Sequence, residues 1–130
     1  FSKNVIAFEP NPAAFEILEK NSTLNSITPY NFAISKEEGE CEFHYSDPGL
    51  CNGGYASVLN KGVGVTGHSL PLDVYMVNMI DFIKKYHPND INNISFIKID
   101  AEGHDKEMIP TLKEIIDINK PKYKLRYMMV

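Results

Sequence analysis

The sequence predicts an α/β fold built on a largely parallel sheet, and three observations carry that reading. Two short apolar runs end abruptly in an acid: Val5-Ile6-Ala7-Phe8 before Glu9, and residues 94–99 before Asp100. Open α/β sheets present functional side chains at strand carboxyl ends in this way. Along the whole chain, strand-like and helix-like segments alternate in the order β-α-β, hairpin, β-α-β-α-β.

The first strand covers residues 5–8. Asn11 is a good N-cap, and Pro12 falls at the first helical position, where a missing N–H is harmless. A helix is predicted to about Lys20, with Ala14, Phe15 and Leu18 inward and Glu16, Glu19 and Lys20 toward water. Residues 29–34 read as a second strand, closed by the charged turn 35–39. Residues 40–45 alternate, with Cys41, Phe43 and Tyr45 on one face, which predicts a half-exposed antiparallel strand at an edge. Asp47-Pro48-Gly49 is a turn. Residues 49–67 are rich in glycine and form an excursion from the core, with residues 56–59 able to pair as a strand.

Residues 72–77 return to strand. Asn78, three residues before Asp81, starts a helix through Met79, Ile80, Ile83 and Tyr86 that stops at Pro88. After the strand at 94–99, a short helix is expected from Asp105 and is interrupted at Pro110. Thr111-Leu112-Lys113-Glu114 resembles a capping box that opens a second helical piece to Ile118. Residues 122–130 read as a last strand.

At 130 residues the chain makes one domain that can bury roughly two-thirds of its unfolded surface. No apolar run approaches the ~18 residues of a membrane span. A net charge of −4 leaves no basic face for a phosphate backbone, so nucleic acid is not an expected partner. Cys41 and Cys51 lack C-x-x-C spacing, and no signal peptide precedes them; reduced thiols in a cytoplasmic protein are expected. No resident metal is expected. The chain has no initiating methionine and opens directly before a strand, so a partial domain of a longer protein is expected.

Glu9 and the cluster Asp100, Glu102, His104 and Asp105 are the candidate chemistry. An acid at a strand end can accept from both hydroxyls of a ribose diol; equally, Glu9 can favour the N-terminus of the helix that begins at Pro12. Asp100 and Glu102 could orient a ligand amine, act as general base or bind a divalent cation, or the acids can simply favour the following helix start. His44, His68 and His87 take no role. The glycines at 53–54 and 62–64 lack the Lys-Ser/Thr pair of a phosphate loop.

Phe8-Glu9-Pro10-Asn11-Pro12, then Phe15, Leu18 and Asn21, then Asn31-Phe32-Ala33-Ile34, then Phe96-Ile97-Lys98-Ile99-Asp100-Ala101-Glu102-Gly103-His104-Asp105, resemble the FkbM family of methyltransferases. The likeness extends from about Val5 to Leu112. It implies a Rossmann-like, mostly parallel sheet with an antiparallel hairpin excursion and S-adenosylmethionine (SAM) across the strand ends. Glu9, with Pro10, then matches the acid that binds the ribose. Asn31, Ala33 and Ile34 border the adenine, while Asp100, Glu102 and His104 lie at the methionine part and the acceptor. The implied reaction is O-methylation of a small molecule or sugar hydroxyl. A different nucleotide or nucleotide-sugar binder, or a fragment without ligand, is the alternative. Oligomeric state stays open.

The resemblance also places the family's first strand and glycine-rich loop upstream of Phe1. Pro110-Thr111 stands where relatives more often carry glycine, and residues 122–130 lack an expected acid. The isolated 130-residue chain is therefore expected to be less stable than a complete domain. One cooperative urea transition with an unfolding free energy above ~5 kcal/mol overturns that expectation.

Overall fold

The computed structural model describes residues 4–46, 56–57, 69–101, 104–119 and 126–129. Strand β1 (Val5–Phe8) leads into helix α1 (Pro12–Ser22) and returns as β2 (Ile27–Tyr30), parallel to β1 with Phe8 opposite Tyr30. The helix starts as its residues dictate. Asn11 Oδ1 accepts from the N–H groups of Ala13 (3.0 Å) and Ala14 (3.5 Å), and Pro12 is the first helical residue. Ala14, Phe15 and Leu18 are half-buried, and Glu16, Glu19 and Lys20 are exposed.

The strand expected at 29–34 is in fact two. β2 ends at Tyr30, Asn31 and Phe32 belong to no ladder, and β3 (Ala33–Ser35) joins a different sheet beside β6 (Ser69–Asn78). A continuous apolar run gives no sign of such a break, because what changes is the pairing partner and not the residue pattern.

From β3 the chain crosses over the carboxyl end of β6 in a turn at 36–38, and Asn78 Nδ2 holds this turn by donating to the Lys36 carbonyl (3.0 Å). Gly39 follows with φ +147°, a conformation L side chains rarely adopt. β4 (Gly39–Ser46) then runs antiparallel along the other side of β6, and β5 (Ala56–Ser57) pairs outside it. The order β3-β6-β4-β5 makes β4 an inner strand, not the expected edge. Its alternation is correct: Phe43 is buried and Cys41 half-buried, while Glu40 and Glu42 are exposed. One-sided exposure concerns the face of a sheet, and says nothing of its ladder edges. Cys41 is a free thiol, pushed up by burial and by the nearby Asp73; Cys51 lies outside the described residues.

Asn78 also caps α2 (Met79–Tyr86), its Oδ1 accepting from Ile80 N–H (3.0 Å) and Asp81 N–H (3.3 Å). β7 (Phe96–Ile99) pairs in parallel with β8 (Arg126–Met129). Between them a 3-10 turn (His104–Met108) passes directly into α3 (Ile109–Asn119). Pro110 does not interrupt this helix. It is the second helical residue, where an N–H has no partner to lose. Thr111 is 5% exposed inside the helix and so is no cap.

The chain is thus mixed α/β, with two parallel pairs and one mixed sheet whose longest ladder, β4–β6, is antiparallel. Among the described residues no ladder bond joins the three sheets; α2 does. Ile80 and Ile83 cluster with Met79, Ile91, Met108 and Ile115, against Ile34 of β3 and Ile97 and Ile99 of β7. Phe82 turns to the other pair, its ring 5.3 Å from Phe8, 4.7 Å from Tyr30 and 5.7 Å from Phe32. At its far end Tyr30 Oη lies 2.8 Å from His87 Nε2, which ties β2 to the end of α2. Among the described residues, no helix is long and apolar enough to cross a membrane.

One buried polar side chain stitches the loop before β7 to α3. Asn119 is fully buried; its Oδ1 accepts from Ile94 N–H (3.1 Å), and its Nδ2 donates to the carbonyls of Ile91 (3.0 Å) and Ile115 (2.9 Å). Removing the amide leaves the buried Ile91 carbonyl and the half-buried Ile94 N–H without this partner. Asn119→Ala is expected to lower the unfolding free energy by roughly 2–4 kcal/mol. Lys84→Ala, at the exposed pair with Glu114 (3.3 Å), changes it by under ~1 kcal/mol. Equal effects of the two substitutions in equilibrium denaturation would contradict this account.

Candidate cofactor site

Glu9 follows the last residue of β1, and its N–H still donates to the Tyr30 carbonyl (3.0 Å), so the parallel pairing extends to the site itself. Beyond it the chain is held by several independent constraints. Pro10 and Pro12 fix their own φ angles. Asn31 Nδ2 donates to the carbonyls of both Glu9 (2.8 Å) and Pro10 (3.1 Å). Asn11 N–H donates to Glu9 Oε1 (2.8 Å). A half-buried carboxylate is therefore presented at a strand end with one oxygen committed locally.

Asn11 is the N-cap of α1, and Glu9 Oε1 accepts from that residue's N–H, so one carboxylate oxygen supports the helix start and both readings of Glu9 stay open. Among the described residues, Glu9 Oε2 has no hydrogen-bond partner. Burial pushes the Glu9 carboxyl above its ordinary value, opposed in part by the Asn11 N–H. An acid desolvated in this way gains from any ligand that brings hydroxyl donors.

The other expected residues fall in different settings. Pro10 contributes its carbonyl to the Asn31 bridge. Asn31 spends its amide protons on that bridge. The side chain of Ala33 is 2% exposed, in a small core with Phe43 and Val74, and the half-buried Ile34 packs on the α2 cluster, while their backbones belong to the β3–β6 ladder. Asp100 follows β7 and is paired with Lys98 Nζ at 2.9 Å, both side chains being about half exposed. Strand alternation puts residues 98 and 100 on one side, so the ion pair follows from sequence spacing. Glu102 lies outside the described residues, and His104 is described only through the backbone that opens the 3-10 turn.

Phe8, one residue before Glu9, seats on Phe82; Ile99, one residue before Asp100, seats on the cluster formed by Ile80 and Ile83. Both acids thus leave strands docked on the same helix. Among the described residues, no three His, Cys, Asp or Glu side chains gather as a metal-binding set. Sequence reasoning did not find the bracing function of Asn31, because the carbonyls it holds are more than twenty residues away.

No solved structure matches the chain. It is 26% identical over 108 residues to the hexuronic acid methyltransferase AglP of Haloferax volcanii, an alignment covering 82% of this chain and 40% of that protein. The chain therefore spans less than half the length of this relative. The sequence profile of the methyltransferase FkbM domain matches residues 1–129, nearly the whole chain. On that match, the chain belongs to the FkbM methyltransferase family.

Proposed function

We propose that the intact protein methylates a hydroxyl oxygen of a carbohydrate, with SAM as donor and Glu9 as the ribose anchor. The observation that carries this reading is the braced, half-buried Glu9 carboxylate at the end of a parallel strand, with one oxygen that has no partner among the described residues. A diol supplies two O–H donors to such a group. On this reading the β1–β2 and β7–β8 pairs are parts of one Rossmann-like sheet, and Asn31, Ala33 and Ile34 border the adenine. The sugar acceptor is suggested by the name of the Haloferax volcanii relative.

SAM, when bound, supplies a methyl group on a sulfonium sulfur, already activated for displacement. Little further chemistry is then asked of the chain. Its residues would hold the acceptor oxygen in line with the methyl carbon, and a carboxylate would take the hydroxyl proton as the O–C bond forms and the C–S bond breaks, sulfur leaving as a neutral thioether. Asp100 is our candidate for that base, with Glu102 and His104 beside it in sequence. Lys98 Nζ, 2.9 Å from Asp100 Oδ2, is the cation beside this carboxylate.

Calorimetric titration of the intact protein with SAM tests the anchor. Glu9→Gln is expected to weaken binding about 10- to 100-fold, the loss of charge-assisted hydrogen bonds. The wild-type affinity should rise with pH through the window just above the ordinary glutamate range, since ligand hydroxyls favour the ionised form of a carboxyl whose pKa burial has raised. Glu9→Gln should be flat over the same window. Unchanged SAM affinity in the variant, or binding of NAD or a nucleotide sugar in place of SAM, removes the ribose-anchor reading.

For the base, Asp100→Asn is expected to lower kcat roughly 10²- to 10⁴-fold. A change confined to KM would instead make Asp100 a binding group.

A further inference from the structure

A concave site whose lining does not include Glu9 lies between α2 and the sheet that holds β6. It is a cleft of about 130 Å³. This is below the roughly 300–1,000 Å³ of pockets that enclose a whole small-molecule ligand, and suits one ring-sized unit of something longer. Phe82 and Val77 form a buried floor. Tyr75 from β6 and Tyr86 from α2 rise on either side, 42% and 55% exposed. Phe32 stands at 6.2 Å and 65° to Tyr75 and steadies that ring from its edge.

The polar groups sit around these rings. Tyr75 Oη donates to Glu38 Oε1 (3.2 Å), Asp81 projects from the first turn of α2, and Lys85 Nζ lies 5.1 Å from the Tyr86 ring centre. Lys85 covers Tyr86 as a cation over a ring, which leaves Tyr75 as the ring open to a ligand. Two carboxylates against one ammonium give the cleft an acidic balance. Apolar ring faces beside hydrogen-bonding carboxylates match the two-sided chemistry of a pyranose, with C–H groups on one face and hydroxyls around the rim. The acidic balance disfavours a uronate and favours a neutral sugar.

We propose that this cleft is a subsite for one neutral pyranose unit of a glycan, stacked on Tyr75 with hydroxyls to Glu38 and Asp81. The choice of a sugar over other ring-shaped polyols rests on the carbohydrate reading above. Glu9 is not among the lining residues, and binding in the cleft needs neither SAM nor methyl transfer to be observed. A glycan held here would present a neighbouring unit for reaction, so the cleft would select acceptors by a sugar that is not itself modified.

Saturation-transfer NMR on the intact protein with methyl β-D-glucopyranoside at about 10 mM reads millimolar binding directly. The expected result is transfer strongest at H1, H3 and H5, which share one face of the ring. Tyr75→Ala should weaken binding at least about fivefold and Tyr75→Phe should retain it, while SAM affinity stays unchanged in both. Glu38→Gln, at an exposed turn, is the second variant should Tyr75→Ala fail to fold, and is expected to weaken binding about threefold. No transfer to the glucoside, transfer unaffected by Tyr75→Ala (or by Glu38→Gln, if that variant is used), or equal binding of methyl glucuronide would each overturn the proposal. Loss of the methyltransferase reading shows separately, as absent SAM binding with glucoside binding intact.

Discussion

The packing of α2 is the constraint on which the rest of the structure depends. Its eight residues are amphipathic in two directions. Phe82 serves the β1–β2 pair, while Ile80 and Ile83 serve β7, α3 and the end of β3. Since no ladder hydrogen bond joins the sheets among the described residues, this helix and its aliphatic and aromatic contacts set where the strand ends lie relative to one another. Asn78 does double duty here, starting the helix with its oxygen and fixing the chain crossing above β6 with its nitrogen. A single amide therefore couples the start of the organising helix to the shape of the mixed sheet.

The Glu9 loop shows how a carboxylate can be held ready without an ion pair. Burial raises its pKa, one backbone N–H lowers it, and nothing among the described residues supplies a cation. Preorganisation comes from two prolines and the Asn31 bridge, so the position of the group is set by backbone geometry. Asp100 is the opposite case: exposed, adjacent to a lysine and free to change partner.

What could be read from sequence was what local chemistry controls. The caps at Asn11 and Asn78 were legible because a cap is decided within three residues. The burial face of β4 was legible from alternation, but its place in the sheet was not, because ladder neighbours come from distant segments. Pro110 and Thr111 misled for a related reason: whether a proline ends or begins a helix depends on where the helix starts, and the preceding 3-10 turn shifted that start. Glu9 and Asp100 were visible as acids at strand ends. The bracing role of Asn31, the stitch made by Asn119 and the cleft of Tyr75 and Tyr86 need residues far apart in sequence to meet, and no local pattern marks them.

Residues 31–34 carry a consequence for how this chain can change over generations. Four consecutive side chains enter four surroundings: Asn31 holds the Glu9 loop, Phe32 joins the aromatic cluster, Ala33 fills the hairpin core and Ile34 the α2 core. Individual residues there can drift in size or polarity and be accommodated one at a time. Insertion or deletion of one residue cannot, since it rotates every following side chain into its neighbour's place. Length in this segment is thus constrained more strictly than identity.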